Sequence, residues 1–409
     1  MVEGLFPLEK LNLKNKQITY KENTNMINRK IVMIPGPTPV VRSIQDQMGR
    51  DTCAFGDAEF VKDYKEVIDG VREMFQCDGQ AFVLAGSGTM AMEMAVANSA
   101  KAGDNMLIVS HGFFGDRFLD AIKRKGINVD IMQSEWGKVF TAEEIKAQLQ
   151  KKNYAAMTVT HVDTATGAKA PIEEIGEMMK EFPETIYIVD GVAASAGIDE
   201  RMTDMNIDII LTGSQKAFGV APGLAILCAN QKSLARRKAL GETIPEFFVD
   251  YEKWLPIMND PSKYFGTPAI NLIWAMKESL RIIKEEGLEN RYARHKKISA
   301  AMRAGLKALG FSILAEEGHQ AETLSNVLYM DGVDDVKFRN IVQEEGIIVA
   351  GGLAAYAGKM FRIGHMGNVD THDLISSMAA IERTLYRMEI IKKEELGKGV
   401  AALMQGLVD

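Results

Sequence analysis

The 409-residue sequence is poor in cysteine and has no excess of positive charge. Its three cysteines, Cys53, Cys77 and Cys228, are too few and too widely spaced for a disulfide framework or a metal site. Lys and Arg total 48 against 55 Asp and Glu, which gives a net charge of −7. Nucleic acids and anionic membranes bind basic surfaces, so this balance argues against both as partners. We expect a metal-free protein of the reducing cytoplasm.

Long hydrophobic runs are also missing. No apolar stretch reaches the roughly 18 residues that a membrane-spanning helix requires. Residues 1–30 are polar and rich in Asn and Lys, without the apolar centre of a secretory signal, and we expect them to form an N-terminal arm. The whole chain is 46% hydrophobic and 25% charged, which is typical of a globular protein with a substantial core.

Between residues 31 and 275, short apolar runs alternate with stretches of helical spacing. The predicted strands are 80–85, 105–110, 155–160, 185–190, 207–212 and 224–229, and the predicted helices include 59–75, 90–100, 116–125 and 171–181. We expect Gly103 to end the helix 90–100, and residues 111–115 to form a loop. The alternation predicts an α/β fold whose large domain has a mainly parallel, doubly wound sheet.

The character of the sequence changes after about residue 274. Residues 276–309 are amphipathic and rich in charges, which predicts a helix or a pair of helices. Short predicted strands and helices follow and indicate a smaller α+β unit. We therefore predict an arm (1–30), a large domain (31–275), and a linking helix with a small C-terminal domain (276–409).

One lysine occupies the turn between two apolar runs of the large domain. Lys216 is the only charge between Asp208 and the end of the second run at Ala229. Burial between strands removes hydration and lowers the pKa of a lysine. A lysine amine with a lowered pKa can form an imine with an aldehyde at neutral pH. The alternative is a solvated lysine in a surface hairpin.

Other polar groups follow predicted strands, where open α/β sheets bind ligands. Gly86–Thr89 follows a strand and opens a helix, so its N–H groups and the hydroxyls of Ser87 and Thr89 suit a phosphate. A plain strand-to-helix turn is the alternative. Asp190 ends an apolar strand and needs a cationic partner, such as a protonated pyridine nitrogen. A helix N-cap is the alternative there.

Three further features extend this set. Phe113 and Phe114 lie in a glycine-flanked loop, where one of them either stacks on a flat ring or packs in the core. Thr164 offers a hydroxyl to a ring oxygen, while nearby His161 is interpreted as structural. Arg362 lies among apolar residues and suits a substrate carboxylate, with a salt bridge inside the small domain as the alternative. With Lys216, this inventory is typical of a pyridoxal-phosphate enzyme acting on amino acids.

The sequence also resembles a known family, the class V aminotransferases of pyridoxal-phosphate fold type I, in particular the alanine–glyoxylate / serine–pyruvate branch. The matching motifs are Pro35–Thr38, Gly86–Thr89, Gly112–Arg117, Thr164–Gly167, Val189–Asp190, Gly213–Lys216, Pro222–Leu224 and Arg362–Gly364. They keep the family's order over residues 31–370. The Gly–Ser–Gln–Lys block followed by Pro–Gly–Leu is the most specific of them.

The resemblance implies a role for each matched position. Lys216 would carry the cofactor as an aldimine and shuttle protons, and Asp190 would pair with the pyridine nitrogen. The other implied cofactor-binding residues are Ser87, Gly88, Thr89 and Gln215 at the phosphate, Phe114, Val192 and Thr164 at the ring, and Tyr264 and Thr267 from a dimer partner. Arg362, Gly36 and Thr38 would bind substrate. The implied active unit is a homodimer with shared active sites and no metal.

The implied reaction is a ping-pong transamination. A small amino acid of the alanine or serine type would be the donor, and a 2-oxo acid such as glyoxylate or pyruvate the acceptor. Residues 48–58 lack the His–Arg pair usual in this branch, so other donors, 2-aminoethylphosphonate or ureidoglycine, stay open. Two further alternatives are a non-catalytic subunit, which would not need Lys216, and a class V lyase such as a cysteine desulfurase. The lyase requires a reactive cysteine downstream of the lysine, and Cys228 lies in a predicted buried strand.

Overall fold

A computed structural model describes residues 30–408, so the arm predicted at 1–30 lies outside the described residues except for Lys30. The strands are β1 (Ile31–Val32), β2 (Gln80–Ala85), β3 (Asn105–Ser110), β4 (Asn128–Gln133), β5 (Ala156–Thr160), β6 (Ile186–Asp190), β7 (Ile209–Gly213), β8 (Leu224–Ala229), β9 (Ser312–Ile313), β10 (Leu324–Leu328), β11 (Ile347–Ile348), β12 (Ala350–Gly351) and β13 (Met360–Gly364).

The helices alternate with these strands in the first part of the chain and dominate its last third. They are α1 (Arg42–Met48), α2 (Ala58–Met74), α3 (Gly88–Ser99), α4 (Phe113–Asp116), α5 (Phe118–Arg124), α6 (Ala142–Leu149), α7 (Ile172–Met179), α8 (Gln231–Ala239), α9 (Tyr251–Asn259), α10 (Ile270–Glu286), α11 (Leu288–Ala308), α12 (Asp335–Glu344), α13 (Thr371–Arg387) and α14 (Lys398–Val408). Within residues 30–408, no helix is both long and apolar enough to cross a lipid bilayer.

The central sheet has seven strands in the order β2-β8-β7-β6-β5-β3-β4. Strand β8 pairs antiparallel with both of its neighbours, while the other neighbouring strands pair in parallel. Strands β5 to β8 are buried along their whole length, because helices and loops cover both faces of the sheet. The predicted α/β fold with a mainly parallel sheet is confirmed. The carboxyl ends of β5, β6 and β7 meet at one edge of the sheet.

Two local predictions were wrong. Helix α3 begins at Gly88 and ends at Ser99, because Ala100 already has an extended backbone; Gly103 instead forms the turn into β3. The predicted loop 111–115 contains the helical turn α4. Asp163 accepts hydrogen bonds from the N–H groups of Phe114 and Gly115, and so supplies the partners that a first helical turn lacks.

A second hydrophobic core lies in the C-terminal part of the chain. It is built mainly by α11 to α14 with β10 and β13. Strand β1 pairs in parallel with β11, and Met33 packs in this second core although it precedes the large sheet in sequence. The four-stranded sheet β12-β13-β10-β9 places Arg362 on its second strand. The domain bounds given above stay a prediction.

Candidate active site

Lys216 lies in the turn that follows β7, and its side chain is buried at 8% exposure. Its Nζ donates to the carbonyl oxygen of Pro35 and lies 3.5 Å from Oγ1 of Thr164. Burial, followed by the positive charge of Arg362, lowers the pKa of Lys216 to about 8, while Asp190 acts in the opposite direction. The lysine is therefore buried rather than solvated, and a neutral amine is accessible near physiological pH.

The proline loop packs directly against the lysine turn. Thr38 donates from its backbone N to the carbonyl of Gln215 at 3.0 Å and from Oγ1 to the carbonyl of Lys216 at 2.7 Å. Gly36 has φ 111°, and a Cβ atom placed there would lie 2.6 Å from Cδ of Lys216. Only a glycine therefore fits this position without displacing the lysine side chain. Gly36 and Thr38 thus lie beside Lys216, and their contact with substrate stays a prediction.

Asp190 is the last residue of β6 and is 3% exposed. Its Oδ1 accepts a hydrogen bond of 3.0 Å from the N–H of Val192, in a turn where no helix begins. Burial raises the pKa of Asp190 to about 7, and the neighbouring carboxylates of Asp163 and Glu200 add to this, while the Val192 bond and Lys216 oppose it. A buried carboxylate with so few partners suits a cationic ligand group.

Asp163 is a site residue that the sequence did not single out. It is fully buried and accepts from the N–H groups of Phe114 (2.8 Å), Gly115 (3.1 Å) and Ala165 (2.8 Å). One carboxylate therefore fixes both α4, which carries Phe114, and the turn that carries Thr164. The sequence signal that could have identified Asp163 was an acidic residue three positions after the end of β5. Burial raises the pKa of Asp163, and these N–H bonds oppose the rise.

The predicted phosphate-binding position is the N-terminus of α3. Ser87 is the N-cap residue, and its hydroxyl makes no capping bond. Gly88 is buried so tightly against Val192 that an added Cβ would lie 2.9 Å from Cγ2. Thr89 Oγ1 accepts from Nη1 of Arg117 at 3.4 Å, which places near this helix end a cation of the Gly112–Arg117 motif for which no role was predicted from the sequence. Free N–H groups and the helix dipole favour an anion here.

Phe114 lies half-buried on α4, and the guanidinium carbon of Arg117 lies 5.0 Å from its ring centroid. Phe113 packs edge-on against it, with 5.4 Å between the centroids. This aromatic pair is only partly covered by the chain's own core, so the ring-stacking interpretation of Phe114 stays a prediction.

Arg362 lies on β13 with its guanidinium partly covered. Its Nε donates to the carbonyl of Gly351 at 2.8 Å, and its Nη1 to the carbonyl of Thr164 at 3.4 Å. Within residues 30–408 no carboxylate forms a salt bridge with Arg362, so the alternative of an ion pair inside the small domain is wrong. A guanidinium bonded to carbonyls alone keeps its charge available for an acid.

His161 has a structural partner, as the sequence interpretation held. Its Nδ1 lies 2.7 Å from Oε1 of the buried Glu200, which also accepts from the hydroxyl of Ser195 at 2.6 Å. Burial lowers the pKa of His161 to about 3. This network is joined to the strand that carries Asp190, since the backbone N of His161 donates to the Asp190 carbonyl at 3.0 Å.

The structure does not bring Tyr264 and Thr267 to these residues within the chain. Tyr264 is 60% exposed, and its hydroxyl lies 3.3 Å from Oγ1 of Thr267. Its ring packs against Phe55, with 4.9 Å between the centroids. The exposed rings of Phe247 and Phe248 add to the apolar surface of this part of the chain. The contribution of Tyr264 and Thr267 from a partner subunit stays a prediction.

Comparisons with known proteins agree with this arrangement. The family model of the class-V aminotransferases matches residues 43–372. An uncharacterised aminotransferase of Methanocaldococcus jannaschii is 34% identical over 371 residues, covering 90% of this chain and 95% of that protein. A serine–glyoxylate aminotransferase of Arabidopsis thaliana is 30% identical over 380 residues, covering 91% and 93%.

The fold is shared with a solved structure. The crystal structure of the ureidoglycine–glyoxylate aminotransferase from Bacillus subtilis superposes with a TM-score of 0.87 at 27% identity, covering 93% of this chain and 98% of that one. The family match extends from α1 to α13 and includes Lys216, Asp190 and Arg362. The chain therefore belongs to the class V aminotransferases and has their fold.

Proposed function

We propose that this aminotransferase binds pyridoxal 5'-phosphate and transfers the amino group of a small amino acid to glyoxylate or pyruvate. The observation that carries the proposal is the burial of Lys216 next to Thr164, with its pKa lowered by burial and by Arg362. The similarity to a serine–glyoxylate aminotransferase supports the choice of donor and acceptor.

The residues present fit this cofactor. Asp190 is a buried carboxylate that can pair with a ring N–H, Thr164 can bind a ring oxygen, and the α3 N-terminus with Ser87 and Thr89 can hold a phosphate. The absence of a side chain at Gly88 makes room for Val192, the residue expected to pack against the ring. When bound, the cofactor supplies a carbonyl carbon that accepts amino groups and a ring that withdraws electrons.

Lys216, Asp190 and Arg362 then have separate roles in the reaction. Nζ of Lys216 removes the proton from the substrate α-carbon and later returns it, because its lowered pKa makes a neutral amine available. With the cofactor bound, the carboxylate of Asp190 would hold a proton on the ring nitrogen. Arg362 binds the α-carboxylate, a group that both the amino donor and the 2-oxo acid carry. One substrate must therefore leave before the other binds, which makes the reaction ping-pong.

The proposal includes a homodimer with shared active sites. Tyr264, Phe247 and Phe248 are exposed at 60%, 67% and 44%. Exposed aromatic side chains in such number favour a protein interface. A second copy seated there would deliver Tyr264 and Thr267 to the phosphate site of its partner. Sedimentation of the holoenzyme tests this, and a monomer with full activity would contradict it.

The central test is Lys216→Ala, with Lys62→Ala as the matched control on an exposed face of α2. We expect Lys216→Ala to lose at least about 10³-fold in transamination rate and to lose the cofactor adduct that borohydride fixes in the wild type. Lys62→Ala should keep both. Wild-type activity in Lys216→Ala would contradict the proposal.

Donor identity needs a screen of single half-reactions. Serine, alanine, ureidoglycine and 2-aminoethylphosphonate are each added to the holoenzyme, and the visible absorption of the bound cofactor is followed. We expect serine or alanine to react fastest. A faster reaction of ureidoglycine would favour the activity named for the Bacillus subtilis relative. A preference for 2-aminoethylphosphonate would contradict the proposed amino-acid donor, since that donor carries a phosphonate in place of the α-carboxylate.

A further inference from the structure

Trp136 and Tyr356 stack face to face between two loops that belong to different sheets. Their ring centroids lie 5.2 Å apart at an interplanar angle of 13°. Trp136 lies on the connection from β4 of the central sheet to α6, and Tyr356 lies on the connection from β12 to β13 of the four-stranded sheet. The two residues are 220 positions apart in sequence (356 − 136), so the tertiary structure alone creates this contact.

The Trp136 loop is anchored to the C-terminal part of the chain at a second point. Glu316 donates from its backbone N to the carbonyl of Gly137 at 3.0 Å. Gly137 has φ 93°, and a Cβ atom there would lie 2.3 Å from the carbonyl oxygen of Leu314. The close approach of two backbones fixes this loop, and with it the position of the Trp136 ring.

The Tyr356 loop is held by short-range backbone hydrogen bonds, including those of a single 3-10 turn at Ala354–Tyr356. Gly352 donates to the carbonyl of Met360 at 3.0 Å, and Lys359 donates to that of Tyr356 at 3.1 Å. Ala354 has φ 44°, a left-handed conformation that residues with a Cβ avoid. Most residues of the loop are exposed, and its aromatic side chain, Tyr356, stacks on Trp136 of the other loop. Such a backbone persists only where surrounding contacts hold it.

The Tyr356 loop connects β12 to β13, the strand that carries Arg362. Strand β12 precedes it and pairs with β13, with Ala350 opposite Arg362 and Gly351 opposite Phe361. Nε of Arg362 donates to the carbonyl of Gly351 at 2.8 Å. Nη1 also donates to the carbonyl of Thr164 at 3.4 Å, so Nη2 and the second N–H of Nη1 are the groups left to bind a carboxylate. A shift of Gly351 would therefore rotate the guanidinium.

From this chain of contacts we infer that Trp136 and Tyr356 are positioning residues for substrate carboxylates, acting through Gly351 and Arg362. The inference rests on the proposed function of Arg362. Both the amino donor and the 2-oxo acceptor present the same carboxylate, so loss of the stack raises KM for both. The proposed cofactor site is built by the ends of β5 to β7 and the N-terminus of α3, none of which carries Trp136 or Tyr356, so we expect cofactor affinity to be independent of the stack.

The test compares Tyr356→Ala with Tyr356→Phe, which keeps the stacked ring, and with Tyr386→Ala, which removes an exposed tyrosine from α13. We expect Tyr356→Ala to raise KM for donor and acceptor alike by roughly tenfold, with kcat changed by less than about threefold. Trp136→Ala should reproduce this. Tyr356→Phe and Tyr386→Ala should match the wild type, and cofactor affinity, measured by titrating the cofactor-free protein, should not change in any variant.

Arg362→Gln separates the two ways in which the inference can fail. If Arg362→Gln raises KM and Tyr356→Ala does not, the inference is overturned and the proposed function stands. If Arg362→Gln leaves both KM values unchanged, Arg362 does not bind the carboxylate, and both fail. A KM increase for only one of the two substrates, or a weaker cofactor affinity in Tyr356→Ala, would also overturn the inference.

Discussion

Arg291 donates from Nη2 to the carbonyl oxygen of Ala217, the residue after Lys216, at 2.6 Å. Its Nε donates to the carbonyl of Ala196, in the turn that follows Asp190, at 2.7 Å. A single buried guanidinium from α11 thus ties together the backbone segments that carry the lysine and the acid. Nη1 pairs with Glu286 at 2.7 Å, so the buried charge is compensated.

Replacement of this arginine should destabilise the fold. Arg291→Met leaves the carbonyls of Ala196 and Ala217 without donors and Glu286 without one of its partners. We expect a loss of roughly 3–5 kcal/mol in the free energy of unfolding, measured with urea. Arg42→Met, which removes an exposed guanidinium paired with Asp46, is the control and should change it by less than about 1 kcal/mol. Equal effects of the two variants would contradict the role given to Arg291.

Gly36 and Gly103 form a matched pair of glycines in the left-handed region. Gly36 has φ 111° and would place a Cβ 2.6 Å from Lys216, whereas Gly103 has φ 86° and nothing within 4 Å. Substitution by alanine strains both backbones by roughly 1–2 kcal/mol. Only Gly36→Ala should displace the lysine, and we expect it to lose roughly 10²-fold in kcat/KM while Gly103→Ala stays near wild type. Similar activities would show that the lysine tolerates the extra carbon.

The reactivity of Lys216 should titrate near neutral pH in the cofactor-free protein. Its pKa is lowered to about 8, chiefly by burial and then by Arg362, while Asp190 opposes the shift. The neutral amine therefore accumulates as pH rises through about 8. Labelling by an amine-reactive reagent, quantified at Lys216 by mass spectrometry, should show that midpoint.

Two variants should move this midpoint in opposite directions. Arg362→Gln removes a positive charge and should raise it, and Asp190→Asn removes a negative charge and should lower it. Shifts of the same sign, or none, would contradict the electrostatic account of the site.

Asp190 should reduce the stability of the cofactor-free protein above neutral pH. Burial raises its pKa from 3.8 to about 7. The folded state then binds more protons than the unfolded state between these values, so stability falls as pH rises through that window. The full shift corresponds to roughly 4 kcal/mol. Thermal unfolding of Asp190→Asn should therefore show a gain over wild type at pH 8 that shrinks towards pH 5. A gain independent of pH would exclude this cause.

Several strands were predictable because their patterns are local. Strands β2, β3 and β8 have the predicted bounds, since each is an apolar run bounded by polar or turn-forming residues. Strand β4 was not predicted. It lies at the edge of the sheet, is only partly buried, and carries Asn128 and Asp130, so it has no continuous apolar run.

The sequence by itself indicated the α/β alternation, the lone lysine between buried strands and the motifs that resemble one family. Those signals are local, because burial and turn formation leave periodic and compositional patterns along a short stretch of chain. Only the tertiary structure decided that Asp163 holds Phe114, that Arg291 holds Ala217, and that Trp136 meets Tyr356. Each pair is far apart in sequence, and its contact follows from how the strands and helices pack in space.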